Sequence, residues 1–137
     1  MSAAEVIGMH RDTTVQDLMS HPTLTVEVGE TLWDAWQLLF VSGLRHLVVL
    51  DEDGTCLGIL NDRHILADVP LTADHLRSRR VSDVLGMVPV VTIRSDQSPD
   101  EAARLMAANS VEVLPIVDDE RLMGVITESD VIRGLVR

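Results

Sequence analysis

The chain repeats one order of apolar and polar positions twice. In its first half two apolar runs of four, "LVVL" (47–50) and "LGIL" (57–60), flank the acidic stretch "DEDG". In its second half "LPIV" (114–117) and "MGVI" (123–126) flank another acidic turn. Short apolar runs bounded by turn residues predict strands. Ahead of each pair lies a segment with apolar residues at helical spacing: Leu32, Ala35, Trp36, Leu39 and Phe40, then Ala102, Leu105 and Met106. Each set predicts one buried helix face. Thr31 with Asp34 is an N-cap signal, and Ser98-Pro99-Asp100-Glu101 a fuller one, with serine at the cap, proline at N1 and glutamate at N3. β-rich stretches (24–28; 90–93) precede these helices, short helical leads (15–19; 81–85) come first, and final helices follow (62–68; 128–136).

The two halves therefore share the order β-α-β-β-α, and their residues align as well. "TVQDLM" (14–19) matches "RVSDVL" (80–85), "LTVEVGETLWDAWQLL" (24–39) matches "VTIRSDQSPDEAARLM" (91–106), and "GILNDRHIL" (58–66) matches "GVITESDVI" (124–132). The predicted organisation is an N-terminal tail (1–13), repeat 1 (14–70), a linker (71–79) and repeat 2 (80–137). The fold class is α+β (α/β). Neither copy is large enough to bury both faces of its sheet, which predicts pseudo-twofold packing of copy on copy.

Charge narrows the partners. Eleven basic against 22 acidic residues give a formal charge of −11, which disfavours nucleic acid and anionic membranes. The single cysteine, Cys56, excludes an intrachain disulfide and a Cys-rich zinc site. No apolar run is long enough to span a bilayer, and the N-terminus lacks a signal-peptide core, so a cytoplasmic location is expected. Five histidines (His10, His21, His46, His64, His75) form no ligand-spaced cluster, and no metal is expected. Walker A, dinucleotide glycine loop and nucleophile-elbow patterns are missing from the sequence, so no catalysis is expected.

The strings "SVEVLPIVDDERLMGVITESDVI" and "GLRHLVVLDEDGTCLGILNDRHIL", with "VSDVL…VVTI" and "VQDLMSHPTLTV", resemble a tandem CBS-domain pair, or Bateman module, over about residues 14–136. The resemblance implies a stand-alone, non-catalytic sensor of an adenine nucleotide (AMP, ADP or ATP), with no obligatory cofactor. It also implies two clefts between the copies. In one, Thr127 and Asp130 of the T-x-x-D motif meet the ribose, with Val125 beside them. A carboxylate can accept from both adjacent ribose hydroxyls, and a charged acceptor makes the stronger bond. By spacing alone the pair reads first as a helix cap and a strand-end residue. The same resemblance places Leu24 against adenine and Arg45, His46 and Arg63 near phosphate. Arginine's planar fork suits phosphate, but Arg45 also reads as a solvated charge and Arg63 as a helix-surface partner of Asp62 or Asp68. The second cleft departs from the pattern: Asn61 and His64 stand for Thr and Asp, and Glu112 and Val113 for Arg45 and His46. One working site is expected, and Glu112 near the phosphate region favours AMP or ADP over ATP.

Trp33, Trp36 and Phe40 are the chain's aromatic residues. They read as core or as part of a homodimer surface. Two other functions compete with the nucleotide sensor. One is a protein-interaction or dimerisation module with a vestigial pocket. The other is a pair binding S-adenosylmethionine or NAD. A regulated partner protein is expected but not named by the sequence.

Overall fold

The computed structural model describes residues 13–20, 23–86 and 90–136. His10, His21 and nearly all of the N-terminal tail lie outside them. The described residues pack into two compact units, residues 23–90 and residues 91–136 together with 13–20. This division crosses the repeats, because each lead helix joins the core built by the other copy. All elements are α or β in an α+β arrangement.

The unit of residues 23–90 holds β1 (Thr25–Glu27), α2 (Leu32–Ser42), β2 (His46–Leu50), β3 (Cys56–Asn61), α3 (Asp62–Asp68), α4 (Ala73–Ser78) and α5 (Val81–Val84). Strand β1 runs parallel to β2, and β2 antiparallel to β3. Leu32, Ala35 and Leu39 of α2 turn inward onto Leu47, Val49 and Leu60 of the sheet, and Ile65, Leu76 and Val81 close the same core. The lead helix α5 is tied in by its main chain: Val81 N–H donates to Glu30 O at 2.9 Å and Ser82 N–H to Val28 O at 3.1 Å.

The other unit repeats this plan. It holds α1 (Val15–Leu18), α6 (Pro99–Asn109), β4 (Val113–Asp118), β5 (Arg121–Thr127) and α7 (Glu128–Leu135). Val15, Leu18, Ile93, Ala102, Met106, Leu114, Ile116, Ile126 and Val131 form its core. Helix α1 is held as α5 is, with Val15 N–H on Gln97 O at 2.9 Å and Gln16 N–H on Ser95 O at 3.2 Å. Both hairpins carry a bulge at the same place, where Val49 pairs with Gly58 and Ile116 with Gly124. The bulge skips one residue of the returning strand and bends it.

Two expectations are corrected. Phe40 is not on the buried face of α2 but 82% exposed, and Trp36 is only half-buried. Leu39 already closes the core at that turn. The β-rich stretch 90–93 forms no strand among the described residues, only one bridge from Ile93 to Ile116. A turn in which Gln97 N–H bonds Arg94 O leads the chain away. The linker contains helix α4, capped by Thr72, whose hydroxyl accepts from His75 N–H at 3.3 Å, and Leu76 of that helix is buried.

Candidate functional site

Strand β5 ends at Thr127, and α7 begins at the next residue. The junction is a reciprocal cap. Thr127 Oγ1 accepts from Asp130 N–H at 3.2 Å, and Asp130 Oδ2 accepts from Thr127 N–H at 2.9 Å. Two main-chain donors that the helix cannot satisfy are thereby paired. Val131 and Ile126 anchor the junction from both sides in the core.

Asp130 is the buried charged side chain among the described residues, 2% exposed. Burial of a carboxylate requires partners, and three donors supply them. Besides Thr127 N–H, the Ser20 hydroxyl donates to Oδ2 at 2.6 Å. The Arg133 guanidinium donates to Oδ1 from one helical turn further on. Ser20 is fixed there by its own main chain, whose N–H donates to Val125 O at 2.9 Å. The structure thus brings Val125, Thr127 and Asp130 together and adds two residues that the sequence reading missed. Arg133 follows Asp130 by three positions, a spacing that signals a helix-face pair. Ser20 is 110 residues from Asp130, and no local pattern connects them.

The other expected residues lie in the unit of residues 23–90. Leu24 is half-buried and packs against that unit's core. Beside it the Thr23 hydroxyl is buried without a hydrogen-bond partner. Arg45 is exposed, and its Nε lies 3.8 Å from Asp62 Oδ2. Its main-chain oxygen accepts from Asp62 N–H at 3.4 Å. His46 opens β2 and is half-buried, while Arg63 lies exposed in the first turn of α3.

The junction of β3 with α3 shows the same cap made with other side chains. Asn61 Oδ1 accepts from His64 N–H at 2.8 Å, and Asn61 N–H donates to His64 Nδ1 at 3.3 Å. Among the described residues no three His, Cys, Asp or Glu side chains come together as a metal-holding group. No helix among them is long and apolar enough to cross a membrane. Cys56 is buried, and that burial pushes its thiol pKa up, against a nucleophilic role.

Comparison with known proteins fits this geometry. A CBS domain-containing protein of Dictyostelium discoideum is 33% identical over 90% of this chain and 91% of its own. A solved CBS-domain containing protein from Agrobacterium tumefaciens superposes with a TM-score of 0.76 at 26% identity, covering 90% of this chain and 94% of its own. A CBS domain pair solved in complex with 5′-methylthioadenosine and S-adenosyl-L-methionine superposes with a TM-score of 0.74 at 25% identity, covering 90% and 96%. Other curated relatives are longer, and the chain spans about a quarter of them, 24% in a homoserine O-acetyltransferase of Methanococcoides burtonii. The CBS domain family model matches residues 15–70 and again 81–137. With both repeats matched and the β5–α7 cap in place, the chain belongs to the CBS domain family, as a tandem pair.

Proposed function

We propose that this CBS pair is a non-catalytic regulatory module that binds an adenine nucleotide through the ribose, with Asp130 as the acceptor. The observation that carries the reading is the buried carboxylate of Asp130 at the strand-to-helix junction. It is a strong acceptor held in place from its own main chain, suited to the adjacent hydroxyls of a ribose. The relative that holds two adenosyl compounds supports the ligand class.

Arg45, His46 and Arg63 are the proposed phosphate ligands and decide between AMP, ADP or ATP and a phosphate-free adenosyl ligand such as S-adenosylmethionine. The matching Asn61/His64 cap is a poor ribose acceptor, because a neutral imidazole has one acceptor nitrogen and Asn61 N–H already occupies it. One working site is therefore proposed. A ligand acts only through unequal affinity for two states, so a partner protein reading the change is part of the proposal, as is a cytoplasmic location. Helix α2 exposes Leu38, Phe40 and Val41 beside Trp33 and Trp36 along a groove of about 850 Å³, and this is the proposed homodimer surface.

Thermal unfolding with AMP, ADP, ATP, S-adenosylmethionine or no addition tests the reading. A ligand at 100 times its Kd adds about 2.7 kcal/mol, a rise of roughly 5–15 °C for a domain of this size. No rise with any of them turns the assignment to an interaction module with a vestigial pocket.

A further inference from the structure

We infer that Arg133 and Ser20 are built-in competitors for the ligand's hydroxyls, so that ligand binding at Asp130 is an exchange and Arg133 sets its affinity. This rests on Asp130 being the ribose acceptor.

The argument is a count of acceptor positions. A carboxylate offers two oxygens and about four acceptor positions. Oδ2 already holds Thr127 N–H at 2.9 Å and Ser20 Oγ at 2.6 Å, and Oδ1 holds Arg133. A vicinal diol brings two more donors, and the carboxylate is too crowded to seat both beside the three present. The Thr127 bond is part of the helix cap and stays. Ser20 is pinned through its main chain to Val125, so only its hydroxyl can rotate away. Arg133 is the group free to leave. Its side chain is 68% exposed although its guanidinium ends on a carboxylate that is 2% exposed. Returning the guanidinium to water disturbs no packing.

Two consequences follow. Arg133 weakens binding of any diol ligand, an uncharged one most plainly, since such a ligand offers the displaced guanidinium no new anionic partner. Salt screens the Arg133–Asp130 pair, so an uncharged diol gains affinity as ionic strength rises.

Adenosine is the probe, titrated by calorimetry into wild type, Arg133→Gln, Arg133→Lys and Ser20→Ala at low and high salt. Circular dichroism and urea unfolding first establish that each variant is folded. Arg133→Gln is expected to tighten adenosine binding about two- to fivefold, the range for releasing a part-exposed ion pair, and to abolish the gain with salt. Arg133→Lys keeps the charge and stays near wild type. Ser20→Ala tightens binding as well. Wild type that binds adenosine, with Arg133→Gln equal to it or weaker, overturns the competitor role and leaves Asp130 as ribose acceptor. If neither wild type nor Arg133→Gln binds adenosine, this inference falls, and titration of AMP into the same proteins decides whether the ribose assignment falls with it.

Discussion

Asp130 and His64 stand at matching positions and do the same local work with different chemistry. Each caps its helix by accepting from the main chain at the strand end, at 2.9 Å for the carboxylate and 3.3 Å for the imidazole. Only the carboxylate has acceptor capacity beyond the cap. The T-x-x-D spacing was therefore readable as a junction, while its burial and its partner Ser20 were not, because these depend on contacts far along the chain, and the Arg133 pair was signalled by its i,i+3 spacing but not drawn. Asp118 gives a second residue-scale result. The hydroxyl and N–H of Ser95 hold its carboxyl below the usual carboxylate range. The folded state thus releases this proton more readily than the unfolded chain, where the pKa is about 3.9. The stabilisation is fully present above that value and is lost as pH falls through the lowered folded pKa. Ser95→Ala is expected to cost more stability at neutral pH than at about pH 3. Urea unfolding of both proteins across that range measures the difference, and a cost that does not change with pH would refute the assignment.

At the scale of elements, short apolar runs located both hairpins to within two residues, and apolar periodicity with the caps located the long helices but not their C-terminal ends. The strong caps were equally plain: Ser98 accepts from Glu101 N–H and Thr31 from Asp34 N–H, each at 3.2 Å. The inward face of α2 was overread at Phe40, since periodicity tells which residues share a face but not where the opposing core ends. The two repeats also end their long helices alike, in the left-handed region, at Gly43 (φ 72°) and at Ser110 (φ 54°). Glycine meets no Cβ penalty there and serine does. Ser110→Gly is expected to stabilise the protein by about 0.5–1 kcal/mol, seen as a higher urea midpoint. Gly134 makes the opposite case. A Cβ built on it would lie 2.3 Å from Leu18 Cδ1, so α1 and α7 touch only because this position is bare. Gly134→Ala overpacks that contact at a cost of about 1–3 kcal/mol, partly offset by about 1 kcal/mol of helix propensity. In a Leu18→Ala background the overpacking is gone and Gly134→Ala should stabilise. A destabilisation of equal size in both backgrounds would show that the contact is not the cause.

For the whole molecule, the sequence shows two copies, and the structure shows two cores that each take a lead helix from the other copy. Val15 and Leu18 carry the same apolar pattern as Val81 and Val84, so either pair suits either core and the pattern alone cannot choose. The choice has a structural consequence at the cap, because it brings Ser20 onto Asp130, 110 residues further along the chain. Asp130 is thereby partnered by a residue that meets it only in the folded protein. The most direct test of the account is calorimetric titration of AMP into wild type and Asp130→Asn. Asparagine keeps the size and the capping carbonyl but removes the charge. The account predicts binding to wild type and a loss of at least about tenfold in Asp130→Asn, the scale of a charge-assisted bond. Equal affinity in the two proteins would contradict it and remove Asp130 from the site.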